Sequence, residues 1–323
     1  MPVGLKFQRK HRYLGYKLKY FYYCIARRDI LQKKRSFGSK NEDKTIYVIK
    51  PDYQDGVEGL LSLIYSQVLY IDYAKKQGFI PYVDWKNYKT QYYDSKNNAW
   101  EYFFRQPSGL TEAEIYESKN VYLSGWRYKN INSLGLFEAQ IFFDRTLEEK
   151  SHHMLQNNIT FSNEVLNLVS SEAQKLDINN CIGVYVRGTD YIKLRPSGEY
   201  VQPNIEHVTQ QISIFLKKYN KPIFLVTEDG EIYDELMEKF GNTIRTVSYD
   251  TFVRNYDGKA VLSKSNVLEE DKKLRGQKYL AKMILLANCK YLISSITQGS
   301  KFSYALNGGN YEDEYIFDLG LYP

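Results

Sequence analysis

The sequence predicts an α/β protein with two parallel-sheet domains behind a basic, aromatic-rich arm. Three observations carry this: short apolar runs alternate with helical patterns, the loops after those runs are polar, and the excess positive charge is confined to the first forty residues. At 323 residues, 43% hydrophobic and 25% charged, the chain is about two domains long with ordinary globular composition. That excludes disorder, collagen-like repeats and small disulfide scaffolds.

Residues 1–40 hold twelve Lys or Arg against one acid, Asp29, a local +11 within an overall +6, so the remaining residues carry −5. Leu14, Tyr16, Leu18, Tyr20, Phe21, Tyr22, Tyr23 and Ile25 interleave with these charges, a mixture suited to anionic lipid headgroups. A basic helix packed on its own domain is the first explanation of the arm, membrane contact the next, and nucleic-acid binding, which would rest on the arm alone, the last. The longest uncharged apolar stretch there, Tyr20 to Ala26, is far short of the roughly 20 residues of a membrane span. Cys24, Cys181 and Cys289 stand singly, with no disulfide framework or cysteine zinc site, and no secretory signal pattern opens the chain. The expected location is the cytosol, with the arm as a contact to the inner face of a membrane.

In chain order, Thr45 to Ile49 reads as a buried strand. A loop rich in Asp and Gly follows, and then Leu60, Leu61, Ile64, Val68 and Ile71 recur at helical spacing up to a capping Gly78. Phe79 to Val83 is the next strand, which makes a parallel crossover unit, and Val121 to Ser124 is a further one. Residues 132–176 read mostly as helix, and the first domain is expected to span 41–176. The second, 177–323, alternates clearly. Its strands are Cys181 to Val186, Ile223 to Thr227, Thr243 to Ser248 and Tyr291 to Ser294; its helices lie near Asn204 to Tyr219, Glu231 to Phe240, Asp271 to Asn288 and from Ser300. In such sheets ligands bind beyond the carboxyl ends of the strands.

Three of those ends carry polar loops: Tyr185-Val186-Arg187-Gly188-Thr189-Asp190, Thr227-Glu228-Asp229-Gly230, and Thr297-Gln298-Gly299-Ser300-Lys301. A guanidinium opposite a Gly-Ser helix start suits a diphosphate, and an acidic pair beside it suits a base or ribose. Singly, each is ordinary, since such a Gly-Ser stretch also serves as a capping turn and an Arg three residues before an Asp as a surface ion pair. Together they describe a sugar-nucleotide pocket. His152 and His153, adjacent on a helix, diverge by about 100° and do not chelate one ion. Asn98 to Phe104, with Trp85 and Trp126, supplies either core packing or a stacking surface for an acceptor sugar.

These residues resemble a family. The strand followed by Tyr-Val-Arg-Gly-Thr-Asp is similar to the His-x-Arg-x-x-Asp type signature of the fucosyltransferase superfamily, which includes α1,2, α1,6 and protein O-fucosyltransferases. Leu280 to Asn307 is similar to its last motif, and Asp55-Gly56-Val57-Glu58-Gly59-Leu60, with the helix and strand behind it, to its Gly-rich opening. The resemblance implies a GT-B glycosyltransferase with two Rossmann-like domains, inverting and metal-independent, that uses GDP-fucose and no other cofactor. It also implies that Arg187 binds the β-phosphate with Ser300 and the Gly299 amide nearby, that Glu228 or Asp229 holds the nucleoside, and that Tyr185, Thr227, Thr297, Gln298 and Lys301 line the donor. The first-domain loop of Asp55, Gly56, Glu58 and Gly59 faces the site in this scheme. Tyr185 stands where the family has His, Gly188 where a second Arg is common, and Gly56-Val57-Glu58-Gly59 differs from the usual Gly-x-Gly-Asn, departures that bear on the donor sugar more than on the reaction.

Charge develops on a departing diphosphate, so a cation and aligned amides stabilise the transition state. No two aspartates are separated by a single residue, so the Asp-x-Asp metal signature is absent. Glu199, Asp190 and Asp55 are candidates for the base that takes the acceptor proton. The expected acceptor is a glycan or lipid-linked oligosaccharide of a surface polysaccharide. Alternatives are a different nucleotide-sugar donor or a noncatalytic sugar-nucleotide or glycan-binding protein.

Overall fold

The computed structural model describes residues 32–51, 58–125, 145–262 and 271–323, the side chains of 145–148 excepted. The arm to residue 31, Asp55, Gly56 and Trp126 lie outside the described residues. Strand β2 (Ile46–Ile49) is buried at every position because both its faces are covered, and it pairs in parallel with β3 (Ile80–Val83) and β4 (Val121–Leu123). Helix α1 (Leu60–Lys76) crosses between β2 and β3 and turns back where Gly78, at φ +70°, passes the Phe79 N–H to Ala74 O at 2.8 Å. A fourth strand, β1 (Lys33–Arg35), adds antiparallel to β4 and gives the order β1-β4-β2-β3. This corrects the expected boundary at residue 40, because the segment from Lys33 onward belongs to the first sheet. A Lys-Lys-Arg run carries no strand signal of its own; the open edge of β4 recruits it.

Beyond the short α2 (Glu112–Ile115), α3 (Arg145–Asn158) and α4 (Asn163–Leu176) lead to the second sheet. Its five strands are all parallel: β5 (Ile182–Tyr185), β6 (Ile223–Val226), β7 (Ile244–Arg245), β8 (Tyr291–Ser295) and β9 (Asp313–Phe317), in the order β7-β6-β5-β8-β9. A one-turn helix, α5 (Thr189–Lys193), follows β5. Alternate residues divide the faces. Ile182, Val184, Ile223, Leu225 and Ile293 meet α6 (Ile205–Tyr219) and α7 (Gly230–Phe240), while Tyr185, Phe224, Val226 and Leu292 face α4, α8 (Lys272–Ala287) and α9 (Gln298–Asn307). Gly183 lets α8 approach, since a Cβ there would stand 2.7 Å from Leu286 Cδ1. Acidic β9 was not expected from sequence, and β7 is shorter than expected because the chain turns away where Glu172 of α4 accepts from the Ser248 N–H and hydroxyl, at 2.8 and 2.7 Å. For the same reason α4, predicted to close the first domain, is packed on the second sheet.

The helix layers of the two sheets merge into one apolar core. Trp85, Trp100, Phe103 and Phe104 are fully buried in it, so this aromatic group packs rather than stacks on a ligand. Gly276 of α8 presses on it, with a Cβ position 2.7 Å from the Phe103 ring, and Gln277 donates to Tyr102 O at 2.8 Å. Phe302 of α9 meets Tyr65 of α1 edge to face. Among the described residues no helix is long and apolar enough to cross a membrane.

Two expectations follow. Gly276→Val forces a branched side chain into the Phe103 ring and is expected to cost about 1–3 kcal/mol in chemical denaturation. Burial opposes the charge of Glu172, but the Ser248 bonds and Lys175 outweigh it and hold the carboxyl below its ordinary value. Its stabilisation is therefore complete above the unfolded value of about 4.3 and is lost as pH falls through the lower folded one. Glu172→Gln is expected to lower stability by about 1–2 kcal/mol at pH 7, a difference that closes in acid.

Candidate functional site

The order of the second sheet reverses between β5 and β8, so the chain leaves these neighbours toward opposite faces and a crevice opens beyond their carboxyl ends. The turn after β5 carries Arg187 and the turn after β8 begins α9, which puts most of the predicted site residues on one edge.

Arg187 is the centre. Its Nη2 donates to Asp190 Oδ1 at 2.9 Å, its Nε lies 3.2 Å from Glu228 Oε1, and its guanidinium rests 4.7 Å above the Tyr191 ring. Burial works against the charge, yet Glu228, the surrounding tyrosines and Asp190 hold the guanidinium protonated well beyond its ordinary range. Among the described residues Nη1 has no partner, and the side chain is 19% exposed, so one end of the fork is available to an anion.

The turn that presents Arg187 is built on β6. Glu228 Oε1 accepts from the Gly188 N–H at 3.0 Å and from the Thr189 hydroxyl at 2.9 Å, while Asp229 Oδ2 accepts from the Thr189 N–H at 2.8 Å. Thr189 sits at φ +41°, a left-handed conformation that costs a β-branched residue about 1–3 kcal/mol and persists because these bonds over-determine it. Gly188 fits only without a side chain, because a Cβ would lie 2.2 Å from Asp229 Oδ2. No second Arg has room there.

The geometry sorts the remaining candidates. Asp190 Oδ2 accepts from the Leu262 N–H at 3.0 Å, so both its oxygens are engaged. Asp229 is likewise committed: Oδ1 caps α7 through the Glu231 and Ile232 N–H groups, and Oδ2 holds Thr189. Thr227 Oγ1 accepts from the Asp229 N–H at 3.2 Å. Glu228 Oε2 has no partner among the described residues. At the start of α9, Thr297 Oγ1 accepts from the Gly299 and Ser300 N–H groups, and Ser300 Oγ accepts from the Thr297 N–H. The amides expected to grip phosphate are thus tied into a capping box. Gln298 lies half-buried in that first turn, while Lys301 is 2% exposed with its ammonium 4.9 Å from the Tyr200 ring. Glu199 is half-buried, and its carboxylate adds to the burial that raises the Tyr191 phenol, against the pull of Arg187. In the first domain, Glu58 O accepts from Gln91 Nε2 and Gly59 is the N-cap of α1.

Sequence reasoning missed Tyr279 of α8, whose hydroxyl lies 3.4 Å from Tyr185 Oη and against Gly299. A lone Tyr in an apolar helix gives no signal. Among the described residues no group of three His, Cys, Asp or Glu side chains is placed to hold a metal ion. A separate concavity of about 450 Å³, lined by Glu149, Tyr304, Glu312 and Asp313 among others, lies at the amino end of β9, away from these loops. Two of its carboxylates are already neutralised, Asp313 by Lys218 and Glu312 by Lys290.

No family model matches the chain, and no curated protein matches it. Solved structures to which it is similar include the fucosyltransferase NodZ from Bradyrhizobium, 18% identical over 82% of this chain and 93% of that one, with a TM-score of 0.46. A mutant of Arabidopsis thaliana FUT1 in complex with GDP is 13% identical over 86% and 71%, with a TM-score of 0.45. POFUT1 in complex with GDP-fucose is 7% identical over 88% and 100%, with a TM-score of 0.47.

Gly188→Ala is expected to cost about 1–3 kcal/mol by pushing Asp229 off Thr189, read by chemical denaturation. Gly109→Ala, in an exposed loop with no atom within 4 Å of the added methyl, is the near-neutral control, within about 0.5 kcal/mol.

Proposed function

We propose that the protein is an inverting, metal-independent glycosyltransferase that moves fucose from GDP-fucose to a glycan or lipid-linked acceptor in surface polysaccharide synthesis. The observation that carries the reading is Arg187, a partly exposed cation held by Asp190 and Glu228 at the switch point of a doubly wound sheet. A diphosphate leaving group gains charge as the glycosidic bond breaks, and a preoriented guanidinium stabilises that charge with little reorganisation. The resemblance of Tyr185 to Asp190 and of Leu280 to Asn307 to fucosyltransferase motifs supports the donor. In this scheme Arg187 is the catalytic cation, Asp190 orients it, and the free oxygen of Glu228 receives a ribose or base N–H or O–H. The base that deprotonates the acceptor is then Glu199 or Asp55, since the oxygens of Asp190 are spent on Arg187 and Leu262. The basic arm would keep the enzyme beside a membrane-borne acceptor.

Thermal unfolding with nucleotides and nucleotide sugars, with and without EDTA, tests the reading, because a ligand that binds only the native state raises its stability. GDP and GDP-fucose are expected to raise the melting temperature equally with and without EDTA. Arg187→Lys, which keeps the charge but loses the fork, is expected to lose about 100-fold or more in turnover. A shift with UDP ligands alone would keep the glycosyltransferase and discard fucose; no shift with any nucleotide would favour a noncatalytic glycan-binding protein.

A further inference from the structure

Tyr185 and Tyr279 come from different elements, the end of β5 and the middle of α8, yet their hydroxyls lie 3.4 Å apart and both sit 2.7 Å from where Gly299 would carry a Cβ. Only a glycine at the second position of α9 lets the two phenols reach its first turn. Two phenols carry two protons, and one bond between them uses one. Among the described residues neither hydroxyl has another hydrogen-bond partner, so one O–H is left to give. Burial first, then Tyr185, raise the Tyr279 phenol far above its ordinary range against the pull of Arg187, so it stays a donor at neutral pH. The Arg187 guanidinium, itself paired with Asp190 and Glu228, is close enough to act on Tyr279, and the helix start adds its dipole. The capping box meanwhile takes the Gly299 and Ser300 amides that would otherwise meet an anion here.

We propose that the Tyr185–Tyr279 hydroxyl pair is a hydrogen-bond donor to the diphosphate of the nucleotide ligand, acting beside Arg187 in place of the helix amides. This rests on the nucleotide-sugar reading above and assigns Tyr279 to the site. The pair works as one unit, because removing either hydroxyl breaks the chain of donors through which the other is oriented.

The test is titration of the full chain with GDP, inorganic pyrophosphate and guanosine, for wild type, Tyr279→Phe, Tyr185→Phe and the double variant. Tyr279→Phe is expected to weaken GDP and pyrophosphate about tenfold, the order expected for one hydrogen bond to a charged group, with guanosine unchanged. The double variant is expected to lose no more than about the larger single loss. Gly299→Ala, whose methyl would displace both hydroxyls, is a second route to the same loss should Tyr279→Phe fold poorly. Wild-type affinity for GDP and pyrophosphate in Tyr279→Phe, alongside a clear loss in Arg187→Ala, would overturn the pair while leaving the proposed function standing. Equal weakening of guanosine would also overturn it, by showing a general loss of shape. No binding of GDP or pyrophosphate by wild type would remove the nucleotide-sugar reading and the pair with it.

Discussion

A guanidinium kept charged among tyrosine rings sets the terms for the carboxyl edge of the second sheet. Arg187 is desolvated by its neighbours, and desolvation alone would oppose its charge. Asp190 and Glu228 answer this with two contacts from two strand ends, and Tyr191 adds a π face beneath. Once that pairing is required, much else follows. Glu228 also takes the Gly188 N–H and the Thr189 hydroxyl, Asp229 takes the Thr189 N–H, and the turn is forced through a left-handed threonine. The strain and the bare glycine are consequences of seating the β6 loop directly under the β5 turn. The result is a cation whose position is decided before any ligand arrives.

A second constraint comes from the shared core. Because α8 lies between the aromatic group at Trp100 and the face of the second sheet, one helix registers both sheets. Gly276 settles its distance from Phe103, Gly183 its distance from β5, and Tyr279 one turn further along is thereby brought to Tyr185. Packing far from the crevice therefore determines which hydroxyls reach the first turn of α9. The α9 start shows the opposite economy: its capping box satisfies its own amides, so its chemistry is supplied by side chains from elsewhere.

Local signals were legible where one segment decides its own fate. The alternation of apolar runs and helical patterns placed β2, β3, β5, β6, β8 and their helices, because such strands are buried on both faces and such helices on one stripe. Arg187 with Asp190, and Glu228 with Asp229, were visible because strand ends in this topology point at one crevice. Signals failed where a neighbour decides. Lys33–Arg35 became a strand only because β4 had an open edge, β9 only because β8 did, and α4 changed sheets because Glu172 reaches Ser248.

The residues by themselves thus determined the α/β class, the strand ends that carry the polar loops, and the cation with Asp190 three residues on, since these depend on periodicity and on spacing within single loops; the contact of Arg187 with Glu228 joins two loops. Tertiary structure alone decided which polar atoms remain free. It spent both oxygens of Asp229 on amides and closed the α9 amides into a cap. Among the described residues it left Arg187 Nη1 and Glu228 Oε2 without a partner, and it brought Tyr279 across from another element. Hydrogen-bond satisfaction is a property of atoms assembled from distant parts of the chain, and no local pattern of residues encodes it.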